Sequence, residues 1–264
     1  MATILDQLAD YARIRVAADK AACPLDELRR RCAGGETPAR EPFAFESALR
    51  KPGLSIICEI KKASPSKGVI SEAFPYLDIA RDYERAGADA ISCLTEPRWF
   101  LGSDRIFSDV RGQVRVPMLR KDFTVDVYQI YQAKAMGADA VLLICAILGE
   151  AEIARCLALC GELGLSALVE VHDEQEMDTA AAAGARIIGV NNRNLKDFSV
   201  DTGNSRRLQS LAPAGTLFVS ESGIRTAQDV RALEESGADA VLIGESLMRA
   251  ADKRAMLDAF RGVR

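Results

Sequence analysis

One histidine, His172, stands in 264 residues, and no two cysteines are spaced Cys-x-x-Cys, so the chain has little from which to build a zinc site. Cys156 and Cys160 share a helical face, but His172 follows well after them. Seven scattered cysteines, several inside apolar runs, read as reduced thiols buried in a reducing compartment. There is no concentrated basic run, and the net charge is -4, which argues against a nucleic-acid surface. The longest apolar run, residues 140–148, falls far short of the ~20 residues that span a bilayer. The opening MATILDQLADYARIRVAADKA lacks the apolar core of a signal peptide. A cytoplasmic protein without membrane or nucleic-acid partners is expected, and a monomer is compatible with the sequence.

With 48% hydrophobic and 27% charged residues, the chain suits one barrel-sized domain over residues 1–264. Residues 1–54 differ in character. Ile4, Leu8 and Tyr11 fall at helical spacing, PLDELRRRC opens a second helix before Gly34 and Gly35, and FAFESALRK suggests a third. They read as a helical extension, expected to cap the barrel mouth. From Ser55, eight strand-like runs alternate with helical ones: 55–62, 90–96, 116–122, 140–146, 166–172, 186–192, 216–222 and 240–246. Such alternation indicates parallel pairing, and eight units can close into a (β/α)8 TIM barrel, an α/β fold. Gly-Ala-Asp-Ala recurs at Gly87, Gly137 and Gly237, with Gly-Ala-Arg at Gly184, in steps of 50, 47 and 53 residues. Each glycine suits a left-handed helix cap, and the spacing marks four similar quarters of two units each.

The run SIICEIKKASPSKG ends an apolar strand in charge. With a two-residue period, Ile57, Glu59 and Lys61 share one face. In the third strand Leu119 and Lys121 do, and in the fifth Leu168, Glu170 and His172 do. Polar residues gather at the C-terminal ends of the strands, which form one rim in a barrel, where catalytic groups sit. If these strands turn the same face inward, two lysines and two glutamates meet at the mouth, able to act as acids and bases. Each alone could be a structural ion pair; four at one rim point to a site. His172 reads as a neighbour of the set rather than a catalyst.

The last two strands lead into turns and helices. Ser222 and Gly223 precede a helix that Thr226 can cap with Asp229, and Gly244 to Ser246 open another. Backbone N–H groups at such helix starts after strands seven and eight form the usual phosphate site of this fold. Trp99, Phe100, Phe123, Leu142, Leu195 and Phe198 lie on or just past strand ends, and two or three of them would suit an aromatic, phosphorylated substrate.

The motifs CEIKKASPSKG, LTEPRWFLGS, PMLRKDF, LVEVHDE, IGVNNRNL, SESGI and IGESLMR, in this order, resemble the strand ends of the indole-3-glycerol phosphate synthases. That resemblance implies ring closure, decarboxylation and dehydration of 1-(2-carboxyphenylamino)-1-deoxyribulose 5-phosphate in tryptophan biosynthesis, without cofactor or metal. It assigns proton donation to Lys121, a second ammonium to Lys61, acid–base work to Glu170 and positioning to Glu59. It puts Ser64, Asn191 and Arg193 around the anthranilate carboxylate and ribulose hydroxyls. Phe100, Phe123, Leu142 and Leu195 would line the ring pocket, and Ser222, Gly223, Gly244 and Glu245 would hold the phosphate. How the acid role divides between Lys61 and Lys121 stays open. Two other readings remain at this point. A phosphate-binding barrel such as phosphoribosylanthranilate isomerase would need a Cys/Asp pair, and a catalytically silent binding protein would be expected to lack one of the four charged residues.

Overall fold

A computed structural model describes residues 3–35, 37–194 and 198–262. Eight parallel strands close into a barrel: β1 (Ser55–Ile60), β2 (Ala90–Leu94), β3 (Met118–Lys121), β4 (Ala140–Ile144), β5 (Ser166–Val171), β6 (Ile187–Asn191), β7 (Leu217–Glu221) and β8 (Ala240–Ile243). Each strand pairs with its sequence neighbours, and β8 returns to β1 through Ser55 opposite Ala240. Helices follow every strand, the last crossing being split into Glu245–Arg249 and Lys253–Phe260.

Alternation along each strand sorts the apolar residues into two layers. Ile57, Leu119, Leu142, Leu168, Val219 and Leu242 fill the barrel, while Ile56, Cys58, Ile91, Cys93, Val141 and Val169 pack outward with the helices. The expected parity therefore holds, and it aims Glu59, Lys121 and Glu170 at the barrel axis. The strands are a little shorter than the apolar runs suggest. β2 stops at Leu94 because Glu96 turns back to accept the backbone N–H groups of Arg98, Trp99 and Phe100 at 2.7–2.9 Å.

The extension does not lie wholly over the mouth. Only the first helix, α1 (Ile4–Ala22), is there, held by the fork of Arg15 on the buried Asp122 at 2.6 and 3.1 Å. A capping box between Thr3 and Asp6 starts it. The second, α2 (Leu25–Ala33), packs on the outer helix Val127–Ala135, and Tyr128 donates its hydroxyl to the carbonyls of Asp19 and Cys23. The third, α3 (Ala44–Leu49), closes the opposite end. There Phe45 and Leu49 pack among the strand-start residues Ala90, Ala140, Ile187 and Ala240, and Ser166 accepts the N–H of Glu46. The apolar faces of α1 and α3 thus cover the two ends of one column, which a shared helical pattern could not distinguish.

The repeated tetrapeptide carries more than a cap. Gly87, Gly137, Gly184 and Gly237 have φ of 77–91°, which glycine tolerates without strain. The aspartates that follow reach back to a preceding strand. Asp89 accepts the N–H of Ile56, Asp139 that of Met118 and Asp239 that of Phe218, each at 2.7 Å. The fourth copy has Arg186 instead, which bonds Glu46 of α3 at 2.9 Å.

Candidate active site

The C-terminal ends of the strands surround a cavity of about 460 Å³, floored by Leu142, Ile144 and Leu242 and roofed in part by Ile4 and Leu8 of α1. Its buried charged groups come from β1, β3, β5 and β7. Lys121, at the end of β3, donates to Glu170 of β5 at 2.9 Å and to Glu221 of β7 at 3.0 Å. Lys61, just past β1, pairs with Glu59 on the same strand face. Asn191 at the end of β6 donates to the other oxygen of Glu170 at 3.2 Å. Glu59, Glu170 and Glu221 are all buried, so two ammonium groups face three carboxyls in one nearly dry site.

That arithmetic controls the protons. Burial alone would pull the Lys121 ammonium down, but Glu170, Glu221 and Glu59 outweigh it and hold the group protonated well above the usual lysine range. Burial pushes Glu170 up, yet Lys121 and His172 bring it net below the ordinary carboxylate value. Glu221 goes the other way. Burial and the charge of Glu170 push it up to about 7 against the pull of Lys121, so it can exchange a proton near neutrality. Its Oε1 is buried without a hydrogen-bond partner.

Glu221 is the residue the sequence reading passes over, because SESG draws attention to its serines and glycine. Its two-residue phase with Leu217 and Val219, both inside the barrel, is the signal that would have found it. A second trace is Gly189, opposite Glu170 in the β5–β6 pairing. A Cβ there would stand 2.2 Å from Glu221 Oε1, so the glycine makes room for the carboxyl.

The ionisation of Glu221 has a measurable consequence. A glutamate ordinarily loses its proton near 4.5, whereas folded Glu221 keeps it to about 7. Between those values the folded chain binds the extra proton, so stability falls as pH rises through the window, by roughly 3 kcal/mol once Glu221 is ionised. Glu221→Gln escapes this loss. In chemical denaturation it should be more stable than the parent by up to that amount near pH 8, with the gain gone near pH 4. A gain of equal size at both pH values would contradict the assignment.

After β7 and β8 the backbone turns lead into helix starts. Ser222 (φ 68°) and Gly223 (φ 84°) make a left-handed turn, followed by the helix Ala227–Glu235, with the expected capping box between Thr226 and Asp229. Gly244 and Glu245 open the helix Glu245–Arg249 after β8. Ser222, Gly223, Gly244 and Glu245 all line the cavity, as do Ser64 and Arg193. Burial pulls Arg193 below the usual guanidinium value, and its head donates to the carbonyl of Phe198. Lys67, in the loop between Ala63–Ser64 and Gly68–Val69, reaches Glu245 at 3.8 Å.

Phe100 and Phe123 face each other at 6.0 Å and line the cavity with Leu142 and Phe198. Trp99 is not among the lining residues; it packs edge-on against Tyr11 of α1 at 5.7 Å, with Arg98 over its ring. Leu195 lies outside the described residues. The site therefore brings together a proton-exchanging cluster, an apolar lining of Phe100, Phe123, Leu142 and Phe198, and two sets of helix-start N–H groups suited to an anion.

The family model for indole-3-glycerol phosphate synthase matches residues 5–260. The chain is 55% identical over 259 residues to the indole-3-glycerol phosphate synthase of Ruminiclostridium cellulolyticum, covering 98% of this chain and 99% of that one. It is 49% identical over 261 residues to that of Leuconostoc mesenteroides, with 98% and 99% covered. Among solved structures, a 3-hexulose-6-phosphate synthase aligns with TM-score 0.62 at 16% identity, over 80% of this chain and 99% of that one. Thiamine phosphate pyrophosphorylase from Pyrococcus furiosus aligns with TM-score 0.60 at 19% identity, over 80% and 95%. The solved structures carry the barrel fold alone. The family match and the identities over the full length make this chain a member of the indole-3-glycerol phosphate synthase family.

Proposed function

We propose that the chain closes, decarboxylates and dehydrates 1-(2-carboxyphenylamino)-1-deoxyribulose 5-phosphate to indole-3-glycerol phosphate, with its own lysines and glutamates as acids and bases. The observation that carries this is the buried Lys121–Glu170–Glu221 cluster in one cavity with helix-start N–H groups.

Each step asks for a group the site supplies. Attack of the aryl carbon on the ketone develops an alkoxide, a far stronger base than a lysine amine. Lys121, kept protonated by its carboxylates, gives it a proton. The ring nitrogen then accepts the electrons left by departing CO2, so the decarboxylation draws on the substrate's own cation. Loss of the hydroxyl needs a second proton, which Lys61 or Glu221 can give. Removal of the adjacent C–H proton needs a base, for which Glu170 is held ionised. Glu59 positions Lys61, with which it is paired. Holding aryl carbon and ketone together contributes about 7 kcal/mol or more.

For binding, Ser222, Gly223, Gly244 and the backbone of Glu245 take the phosphate, and Phe100, Phe123 and Leu142 the ring. Ser64, Asn191 and Arg193 take the carboxylate and hydroxyls. Leu195 belongs to the ring pocket by resemblance alone. The extension and barrel act as one domain, in the cytoplasm, and a monomer is compatible with this reading. No helix among the described residues is long and apolar enough to cross a membrane. Growth of a tryptophan auxotroph lacking this step tests the reading: expression of the chain should restore growth without tryptophan. Failure of a well-expressed chain to do so would count against it.

A further inference from the structure

Glu170 is touched from its outer side by a group the mechanism above does not use. His172, two residues on and on the same strand face, turns Nε2 to within 3.5 Å of Glu170 Oε1, and this nitrogen is buried with no hydrogen-bond partner. Its other ring nitrogen, Nδ1, lies 3.0 Å from Glu176 Oε2. The same oxygen accepts the His172 backbone N–H at 2.8 Å, so Glu176 fixes both the chain and the ring. Asn204 donates to the His172 carbonyl at 3.0 Å, and Asp173 caps the helix Glu174–Ala182 that carries Glu176. An imidazole held between two carboxylates, one in the catalytic cluster and one at the rim, is a geometry that packing alone does not require.

We infer that His172 is a positioning residue: anchored by Glu176, it holds Glu170 Oε1 and keeps that carboxyl in its ionised, proton-accepting form. The inference rests on the catalytic reading of Glu170 given above. Its electrostatic half stands on geometry alone. Glu221 of the cluster also acts on the ring, while Lys121 bonds Glu170, and Asp173 and the Cys145 thiol lie near the ring's partners Glu170 and Glu176. Burial pulls the imidazole down, but Glu176, Glu170 and Glu221 raise it net above the ordinary histidine value. An imidazolium at this distance lowers the pKa of a carboxyl, so its loss should raise that of Glu170.

Because the chain has a single histidine, one imidazole carbon–proton resonance reports His172 without assignment. Its titration in the full chain should have a midpoint above ~6.5, the free value, falling in Glu176→Gln and in Glu170→Gln. A midpoint at the free value, or one unmoved by Glu170→Gln, overturns the coupling whatever reaction the enzyme catalyses. The kinetic arm uses His172→Gln. The acid limb of kcat should move up by about one pH unit, leaving turnover about tenfold low on the acid side and near the parent value on the alkaline plateau. KM should hold. A merely structural role would lower kcat evenly or lower the melting temperature with the limb unmoved. Glu176→Gln, which does not touch the cluster, should move the limb the same way and add nothing in the His172→Gln background. Additive shifts would overturn the inference.

Discussion

Lys121→Met should lower kcat by on the order of 10²–10³-fold, the usual cost of one charged stabiliser in a dry site, and should leave phosphate-ester binding within a few-fold. Lys121 is the hub of the cluster, touching Glu170 at 2.9 Å and Glu221 at 3.0 Å. Without it the alkoxide loses that proton donor, and Glu170 and Glu221 lose the cation they share. One of them must then hold a proton at neutral pH, as like charges at such range do. Glu221 is the one already pushed up, while Glu170 loses the charge that does most to lower it, so the variant loses its acid and weakens its base. The helix-start N–H groups that would hold the phosphate are backbone, so the substitution removes none of them. Product fluorescence measures turnover, and calorimetry with glycerol phosphate measures binding. Turnover near the parent level would remove Lys121 from the chemistry.

Gly244→Ala should be nearly as damaging for a different reason. The φ of Gly244, -113°, is negative, so alanine meets no left-handed penalty there. Its methyl, however, would stand 2.2 Å from Glu59 Oε2 and 2.9 Å from Lys61 Nζ. Glu59 is buried, so moving its carboxyl aside disturbs its pairing with Lys61. Overpacking of this kind costs about 1–3 kcal/mol. Spent on a catalytic pair, that corresponds to roughly 10- to 100-fold in kcat/KM. Since Gly244 also leads into the turn proposed to hold the phosphate, KM should rise with the fall in kcat. Shortening the obstructed side chain tests the cause: Glu59→Asp in the Gly244→Ala background should recover part of the lost turnover. No recovery, with the melting temperature unchanged, would place the damage in the phosphate turn alone.

These two positions show how the sequence carried its information. Lys121, Glu59, Lys61 and Glu170 were legible because a barrel strand is buried on both faces. A charged residue in phase with interior leucines has nowhere to point but the mouth. Glu221 obeys the same rule through Val219, yet its serine and glycine neighbours gave the segment a different reading. Gly244 was legible as a turn residue near phosphate. Its second duty, clearing space for Glu59, depends on β8 lying beside β1, a contact made only on closure. The Asp89, Asp139 and Asp239 bonds to strand N–H groups were hidden likewise, since the tetrapeptide does not say which backbone it meets. The extension was legible as helices but not as a cap at each end, because α1 and α3 present similar apolar faces to opposite ends of one core.

The most direct test of the lyase reading is a turnover experiment on purified wild-type chain and Lys121→Met side by side, with aryl-amino deoxyribulose phosphate as substrate. Indole fluorescence and released CO2 are followed together. The wild-type chain should form indole-3-glycerol phosphate with one CO2 per indole ring, and Lys121→Met should form neither at a comparable rate. Wild-type chain that makes no indole, or a Lys121→Met variant that makes it undiminished, would contradict the assignment.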